Sequence, residues 1–333
     1  MRTPGIGNHT ARVTCLLLLA GLLSVPFIGI YPLFAMKALC FALFAAAFNL
    51  LLGQVGLLSF GHAAFFGMAA YVCGHAAKEW GLPTELAILS GALAGALLGL
   101  VVGWLAIRRQ GIYFSMITLA MAQLVYFFCL RAPFTGGEDG IQSIPRGKAL
   151  GLVSLDSDIA MYYFVLGVFV LGILFLYRIV HSPFGVVLLT IRENEARAIS
   201  LGYEVQRYKL TAFVLSAGLS GLAGATKAVA MQIATLADVN WHQSGQVVLM
   251  SLFGGMGTFF GPIFGALTIV SIQNFFADKV GGWIIVILGV VFVLCVMTFR
   301  KGVVGELLAW AGRRQAAQQT RPTHLIKEPQ YEQ

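Results

Sequence analysis

Charge is what this sequence has least of. Only 11% of its 333 residues are Asp, Glu, Lys or Arg, against roughly 25% in an ordinary globular protein, while 58% are hydrophobic. Lys+Arg 22 and Asp+Glu 14 cannot coat a globule of this length, which excludes a soluble enzyme and makes lipid the natural solvent. The net charge of +8 is not gathered in a polar domain with interleaved aromatics, so a nucleic-acid partner is excluded as well. Cysteine is scarce and scattered. Cys15, Cys40, Cys73, Cys129 and Cys295 lie in apolar runs, odd in number and without CxxC or Cys/His spacing, so neither a disulfide framework nor a metal site is expected, and no cofactor is implied. Catalytic signatures are missing too. There is no HExxH, no Ser/His or Asp/Asp constellation within an apolar run, and no GxxxxGK[ST] for a nucleotide.

What is present is long apolar runs. A spanning helix needs about 20 apolar residues, and ten candidates emerge: Val13–Ile30, Leu33–Leu52, His62–Ala77, Leu86–Ile107, Ile112–Leu130, Ala160–Ile179, Tyr208–Val229, Gly245–Gly257, Pro262–Ala277 and Gly282–Phe299. The third, eighth and ninth are short and glycine-flanked, reading either as confined spans or as re-entrant, broken helices. The expected class is thus an all-α polytopic membrane protein with eight to ten spans. Val25-Pro26-Phe27 offers no small-x-small cleavage site, so the first span reads as a retained helix.

Basic residues are retained on the cytoplasmic side. With ten spans and an inner N-terminus, that side holds Arg2, Arg12, Arg108, Arg109, Arg178, Arg192, Arg197, Arg207, Lys209, Arg300, Lys301, Arg313, Arg314, Arg321 and Lys327, fifteen of the 22. Both termini are therefore expected inside. Residues 1–305 form the membrane domain, and 306–333 a polar cytoplasmic tail with a short interfacial helix around Leu307, Leu308 and Trp310.

Two loops are long. The outer one, residues 131–159, carries the turn formers Gly136, Gly137 and Gly140 beside Glu138 and Asp139. The inner one, residues 180–207, fits an amphipathic helix from Val186, with Leu188, Ile191, Glu195, Ala198 and Ile199 near a 3.6-residue period and Gly202 as its stop. Its face mixes Arg192 and Arg197 with Glu193 and Glu195. Mixed sign suits a protein groove better than a lipid surface, and both a docking role and a plain connection fit it.

Glycines form the other constellation: Gly53, Gly56, Gly61 and Gly67, then Gly254, Gly255, Gly257, Gly261 and Gly265. Close helix packing is the simplest use. The functional alternative is local unwinding that frees backbone groups to line a passage, with Asn49, Gln54, Ser59 and His62 clustered nearby. A lone His at a helix start reads first as a hydrogen-bonded structural group. No span carries the buried Asp/Glu pair or Arg that a proton- or sodium-coupled carrier needs, so uphill transport would draw its energy from another polypeptide.

Several ordered motifs then resemble one family. Ala47-Phe48-Asn49-Leu50-Leu51-Leu52-Gly53, Gly56-Leu57-Leu58-Ser59-Phe60-Gly61-His62-Ala63-Ala64-Phe65, Gly111-Ile112-Tyr113-Phe114 with Thr118-Leu119-Ala120, Thr135 to Gly140, Ser182-Pro183-Phe184-Gly185 with Ile191 to Glu195, and Gly254-Gly255-Met256-Gly257-Thr258 resemble LivM-type permeases of branched-chain amino acid ABC importers. The resemblance runs from about Ala35 to Gly305. It implies a multi-pass subunit of the bacterial inner membrane with the fold of the ten-helix permeases of vitamin B12-type importers, not itself an enzyme. It pairs with a second, LivH-type permease, is driven by two cytoplasmic ABC ATPases through alternating access, and is loaded by a periplasmic substrate-binding protein. Residues 190–202 fall where such permeases carry their coupling helix, which assigns ATPase coupling to Ile191, Arg192, Glu193, Asn194, Glu195, Ala196, Arg197 and Gly202. The EAA signature of ABC importers departs here at Arg197, and Gly202 comes one residue late. Asn49, Gly53, Gln54, Ser59, Gly61 and His62 are the expected path, and Gly136, Gly137, Glu138 and Asp139 the expected contact with the binding protein. Urea or short amides are alternative cargo, and a stand-alone secondary carrier is the other class.

Overall fold

The computed structural model describes residues 31–149, 151 and 153–283, together with 21–23, 26, 286–287, 289–290, 293, 297, 302 and 306. Most of the expected first and tenth spans, both termini and the tail after residue 306 lie outside the described residues.

The helices are α1 (Pro32–Asn49), α2 (His62–Lys78), α3 (Thr84–Ala106), α4 (Ile112–Arg131), α5 (Asp158–Val180), α6 (Pro183–Glu193), α7 (Glu195–Ser200), α8 (Val205–Met231), α9 (Leu236–Val239), α10 (Trp241–Gly254) and α11 (Gly261–Val280). Two short antiparallel ladders complete the described fold. β1 (Ile141–Gln142) pairs with β4 (Ile233–Ala234), Ile141 opposite Ala234, and β2 (Lys148–Ala149) pairs with β3 (Val153–Ser154). Among the described residues, five helical stretches are long and apolar enough to cross a bilayer: Pro32–Val55, Thr84–Ala106, Ile112–Arg131, Asp158–Val180 and Val205–Met231.

Helix α1 is the axis. Pro32 sits in its first turn, where a missing N–H costs nothing, and the run through Asn49 has no β-branched residue to restrict its rotamers. From Ala38 to Asn49 every residue is buried. A helix apolar on all sides belongs in the middle of a bundle, and α5, α8, α10 and α11 pack around this one.

Helices α3 and α8 meet through a stripe of small residues. Gly91, Gly95, Gly99 and Gly103 recur every fourth position of α3, and a Cβ at Gly95 would lie 3.0 Å from the Gly221 Cα of α8. A Cβ at Gly91 would lie 2.6 Å from the Ala69 carbonyl oxygen of α2. In lipid, where apolar burial supplies no net drive between helices, backbone approach of this kind holds them together. The opposite face of α3 exposes Leu86, Leu89, Leu93, Leu97 and Trp104, which suits a hydrocarbon solvent.

Connections gather at two ends. Following the charge bias, the end holding residues 132–157 is called outer and the end holding α6 and α7 inner. The chain leading into the expected eighth span is irregular, and that span, Gly245–Gly257, is helical only through Gly254 as part of α10. After α8 ends at Gln232, left-handed at φ 57°, the chain pairs as β4 and forms the single turn α9. It then packs Asp238 and Val239 against Gly67 of α2 before α10 begins. The 14 residues of α10 rise about 21 Å, short of the roughly 30 Å hydrocarbon core. Polar backbone at that depth is satisfied locally: the Asn240 side chain accepts from the His242 N–H, and Thr235 with Asp238 forms a capping box around α9.

Candidate functional site

The inner end joins the two glycine segments to the helix pair α6–α7. Helix α1 does not stop cleanly at Asn49 but continues as a π-helical turn, Leu50–Val55, capped by Gly56 at φ 79°. Wide turns of this kind loosen the backbone ladder and are frequent at functional sites. Residues 56–61 are then non-helical. The backbone is thus unwound in this segment, whereas Gly67, Gly254 and Gly265 sit in close backbone packing that leaves no room for a Cβ.

Asn49 bridges the two glycine segments. Its Nδ2 donates to the Thr258 carbonyl at 3.0 Å, and its Oδ1 accepts from the Gly257 N–H at 3.4 Å. A Cβ at Gly53 would lie 2.6 Å from that same Oδ1, so glycine is required there to seat the amide. The Gly53 carbonyl in turn accepts from the guanidinium of Arg192 in α6. The stem of Arg192 lies over Gly56, where a Cβ would meet its Cγ at 3.1 Å. Asn49, Gln54, Leu50 and Ala46 line one wall of a cleft closed by Leu176, Val180 and Phe259.

The remaining expected path residues stand deeper. His62 is fully buried, edge-on to Phe48, Phe65 and Phe213. Its Nε2 lies 2.9 Å from the Ser216 Oγ, which gives its own proton to the Ala47 carbonyl; the imidazole is assigned as donor on that basis. Ser59 is also fully buried, its Oγ accepting from the Gly61 N–H. Gly61 abuts the Thr118 carbonyl, 3.0 Å from an added Cβ. These three hold α1, α2, α4 and α8 together inside the chain.

The inner loop departs from the expected single helix. Ser182 caps α6 by accepting from the Gly185 N–H, with Pro183 in the first turn. The helix then breaks at Asn194 (φ −157°, ψ 97°), whose Oδ1 accepts from the Arg197 N–H to start α7, and Gly202 ends the segment at φ 86°. The apolar period runs across the break, which concealed it; an Asn preceding Glu-Ala-Arg is the cap signal. Ile191 and Ala198 are buried with Val205. Glu193, Ala196 and Arg197 are exposed. Glu195 turns inward, accepting from Lys209 of α8 at 2.8 Å and from Gln110 at 2.9 Å. Ile199 and Leu201 face water, 59% and 65% exposed.

A family model described as branched-chain amino acid transport system / permease component matches residues 32–298, most of the chain. The chain belongs to that permease family. It is similar to the high-affinity branched-chain amino acid transport system permease protein LivM of Escherichia coli (27% identical, covering 69% of this chain and 60% of that protein). LivM of Salmonella typhimurium is similar too (27%, covering 73% and 63%). So is the L-arabinose ABC transporter permease protein AraH of Azospirillum brasilense (32%, covering 68% and 66%). The chain spans less than two thirds of the length of the two LivM relatives. No solved structure matches it significantly. It is a multi-pass membrane protein, and its relatives are ABC-transporter permease subunits rather than enzymes.

At the outer end of the permease, Gly136, Gly137 and Gly140 all take positive φ and build a tight turn, so β1 can reach β4. Glu138 and Asp139 are exposed on that turn. Arg146 ties the loop down, donating to Asp158 at 2.7 Å and to the Ala230 carbonyl at 3.1 Å, and Thr84 donates to the Arg146 carbonyl at 2.5 Å. Beneath it lies an ion pair that sequence reasoning missed. Lys227 of α8 and Asp238 of α9 meet at 2.7 Å, their side chains 10% and 7% exposed. A lysine in an apolar span demands a counter-charge, and Asp238 was the available acid, hidden because it lies between the expected spans.

Proposed function

We propose that the chain is the membrane-spanning subunit of an ATP-driven importer of branched-chain or related neutral amino acids in a bacterial inner membrane. It has ten spans and both termini in the cytoplasm. A second, LivH-type permease completes the path, two ABC ATPases dock at α6–α7, and a substrate-binding protein docks on Gly136, Gly137, Glu138 and Asp139. Alternating access moves the cargo: nucleotide binding draws the ATPases together, and the force enters through the inner loop.

One observation carries this reading. In a membrane protein, α6–α7 offers water two large aliphatic side chains, Ile199 and Leu201, flanked by charges of both signs, Glu193 and Arg197. An apolar knob with a mixed-charge rim is what a protein groove accepts. Five of the residues expected to couple to the ATPases divide by role: Glu193, Ala196 and Arg197 belong to the docking face, while Ile191 and Glu195 secure it from beneath.

The cargo reading rests on the family, and the uncharged lining of the inner cleft, mostly aliphatic with the two amides Asn49 and Gln54, is in keeping with a neutral cargo. The test is co-expression with candidate ATPases, second permease and binding protein of the same source, followed by uptake in proteoliposomes. ATP-dependent leucine import is expected, with Ile199→Asp lowering recovery of bound ATPase at least about fivefold, as expected for burying a charge in an apolar contact. Arabinose or urea import without leucine import would overturn the cargo assignment, and uptake by the chain alone would overturn the class.

A further inference from the structure

We infer that Arg192 is the residue through which the inner loop drives the core, with the Glu195–Lys209 pair as the pivot on which the loop turns. The inference rests on the docking reading above and adds a route for the force.

The segment α6–α7 is fastened to the bundle by two side chains on either side of the Asn194 break, and the two fastenings differ in kind. Glu195 is held by two donors, Lys209 and Gln110, at 2.8 and 2.9 Å. The Lys209 side chain is only 6% exposed, and Glu195 is 29% exposed. That anchor has given up most of its water and does not release without leaving a charge stranded. Arg192 is an exposed residue on the other side of the break, and it reaches a single carbonyl, that of Gly53. Water can replace that bond at little cost, so it can break and re-form as the loop moves.

The carbonyl that Arg192 holds is not an arbitrary one. It belongs to the π turn at the end of α1, the buried axis of the molecule. Asn49 occupies the space over that same glycine and carries the linkage across to Gly257 and Thr258, in the turn between α10 and α11. The Arg192 Nη1 itself comes within 3.4 Å of where a Cβ at Gly257 would sit. Movement of α6 about the Glu195 anchor thus reaches α1, α10 and α11 through one guanidinium, one carbonyl and one amide. Arg192 is a positioning residue; it acts on the path through Gly53 and Asn49.

The test is the number of ATP molecules hydrolysed per substrate imported by the whole transporter in proteoliposomes, with Arg192→Ala, Arg192→Lys and Gly53→Ala. A chain that merely folds less well loses hydrolysis and import together, leaving that ratio unchanged. The expected result for Arg192→Ala is normal recovery of bound ATPases with the ratio raised about three- to tenfold, the scale of one ordinary hydrogen bond that water partly replaces. Arg192→Lys, which keeps a donor, restores part of the coupling. Gly53→Ala leaves Arg192 in place but displaces the Asn49 amide, and it raises the ratio as well. An unchanged ratio in both Arg192→Ala and Gly53→Ala overturns the latch. Loss of ATPase recovery in Arg192→Ala also overturns it, by placing Arg192 in the dock. Crosslinking of a cysteine at Ile199 to an ATPase separates the two ideas: its absence in the parent transporter removes the docking reading and the latch with it, and its presence with an unchanged ratio removes the latch alone.

Discussion

The two ends of this bundle are closed by different chemistry. At the outer end the fastenings are a buried ion pair, Lys227 with Asp238 beneath the loop, the buried Arg146 on a half-exposed Asp158 and a helix-end carbonyl, and the β1–β4 ladder above them. At the inner end one ion pair, Glu195 with the buried Lys209, anchors α7, and the remaining fastenings are uncharged on one side or both: an amide bridging two glycine turns and an exposed guanidinium on the carbonyl of a π turn. Buried ion pairs are costly to open because each half is stranded when its partner leaves. Amide and carbonyl contacts strand no full charge when they open, so they cost less to break. The contrast assigns rigidity to the outer end of the chain and movement to the inner end, which carries the proposed docking loop.

Variants can break that contrast, and the outer pair is expected to give the largest effect. Asp238→Ala leaves Lys227 buried and unpaired, at a cost of about 3–5 kcal/mol, and should remove most folded protein by detergent size-exclusion analysis. Replacing both partners with Met and Leu should restore it, because an apolar pair of similar volume strands no charge. A normal yield for Asp238→Ala would deny the outer end its special firmness.

Lys209→Ala comes next. Its partner Glu195 is partly open to water, so the loss is discounted to about 1–2 kcal/mol. Thermal unfolding in detergent should fall modestly, and recovery of bound ATPase should drop because α7 is no longer held. Thr84→Val removes one buried hydrogen bond, worth about 1 kcal/mol, and should loosen protease resistance of the outer loop without changing ATP hydrolysed per substrate. Asn49→Ala removes a buried amide with one bond at 3.0 Å and a longer one at 3.4 Å, a similar loss of about 1 kcal/mol. Its import rate should nevertheless fall, while Thr84→Val imports normally. Reversal of that order would put the moving parts at the wrong end.

Much of this architecture could be read from the chain before any coordinates, and the reasons for the failures are specific. Apolar runs locate helices because lipid removes ambiguity about which residues face inward. The inner loop stood out because a charged amphipathic stretch in a charge-poor chain has few other uses. The Asn194 break did not stand out: the apolar period continues through it, so only the capping preference of Asn could have marked it. The four glycines from Gly91 to Gly103 were visible at four-residue spacing, yet attention to loop-flanking glycines passed over them. Pairing of Lys227 with Asp238 required knowing that α9 folds back into the bundle. The Arg192–Gly53 contact had no sequence signal, since a backbone carbonyl 139 residues away offers no complementary side chain.

Paired spin labels on the reconstituted transporter address the contrast between the ends most directly. One pair at Glu193 and Met256 spans the inner end, and one at Glu79 and Asp139 spans the outer end; all four residues are exposed. Between the nucleotide-free and ATP-trapped states, the inner distance distribution is predicted to shift, while the outer one keeps its mean and width. A shift at Glu79 and Asp139 with none at Glu193 and Met256 would contradict the account.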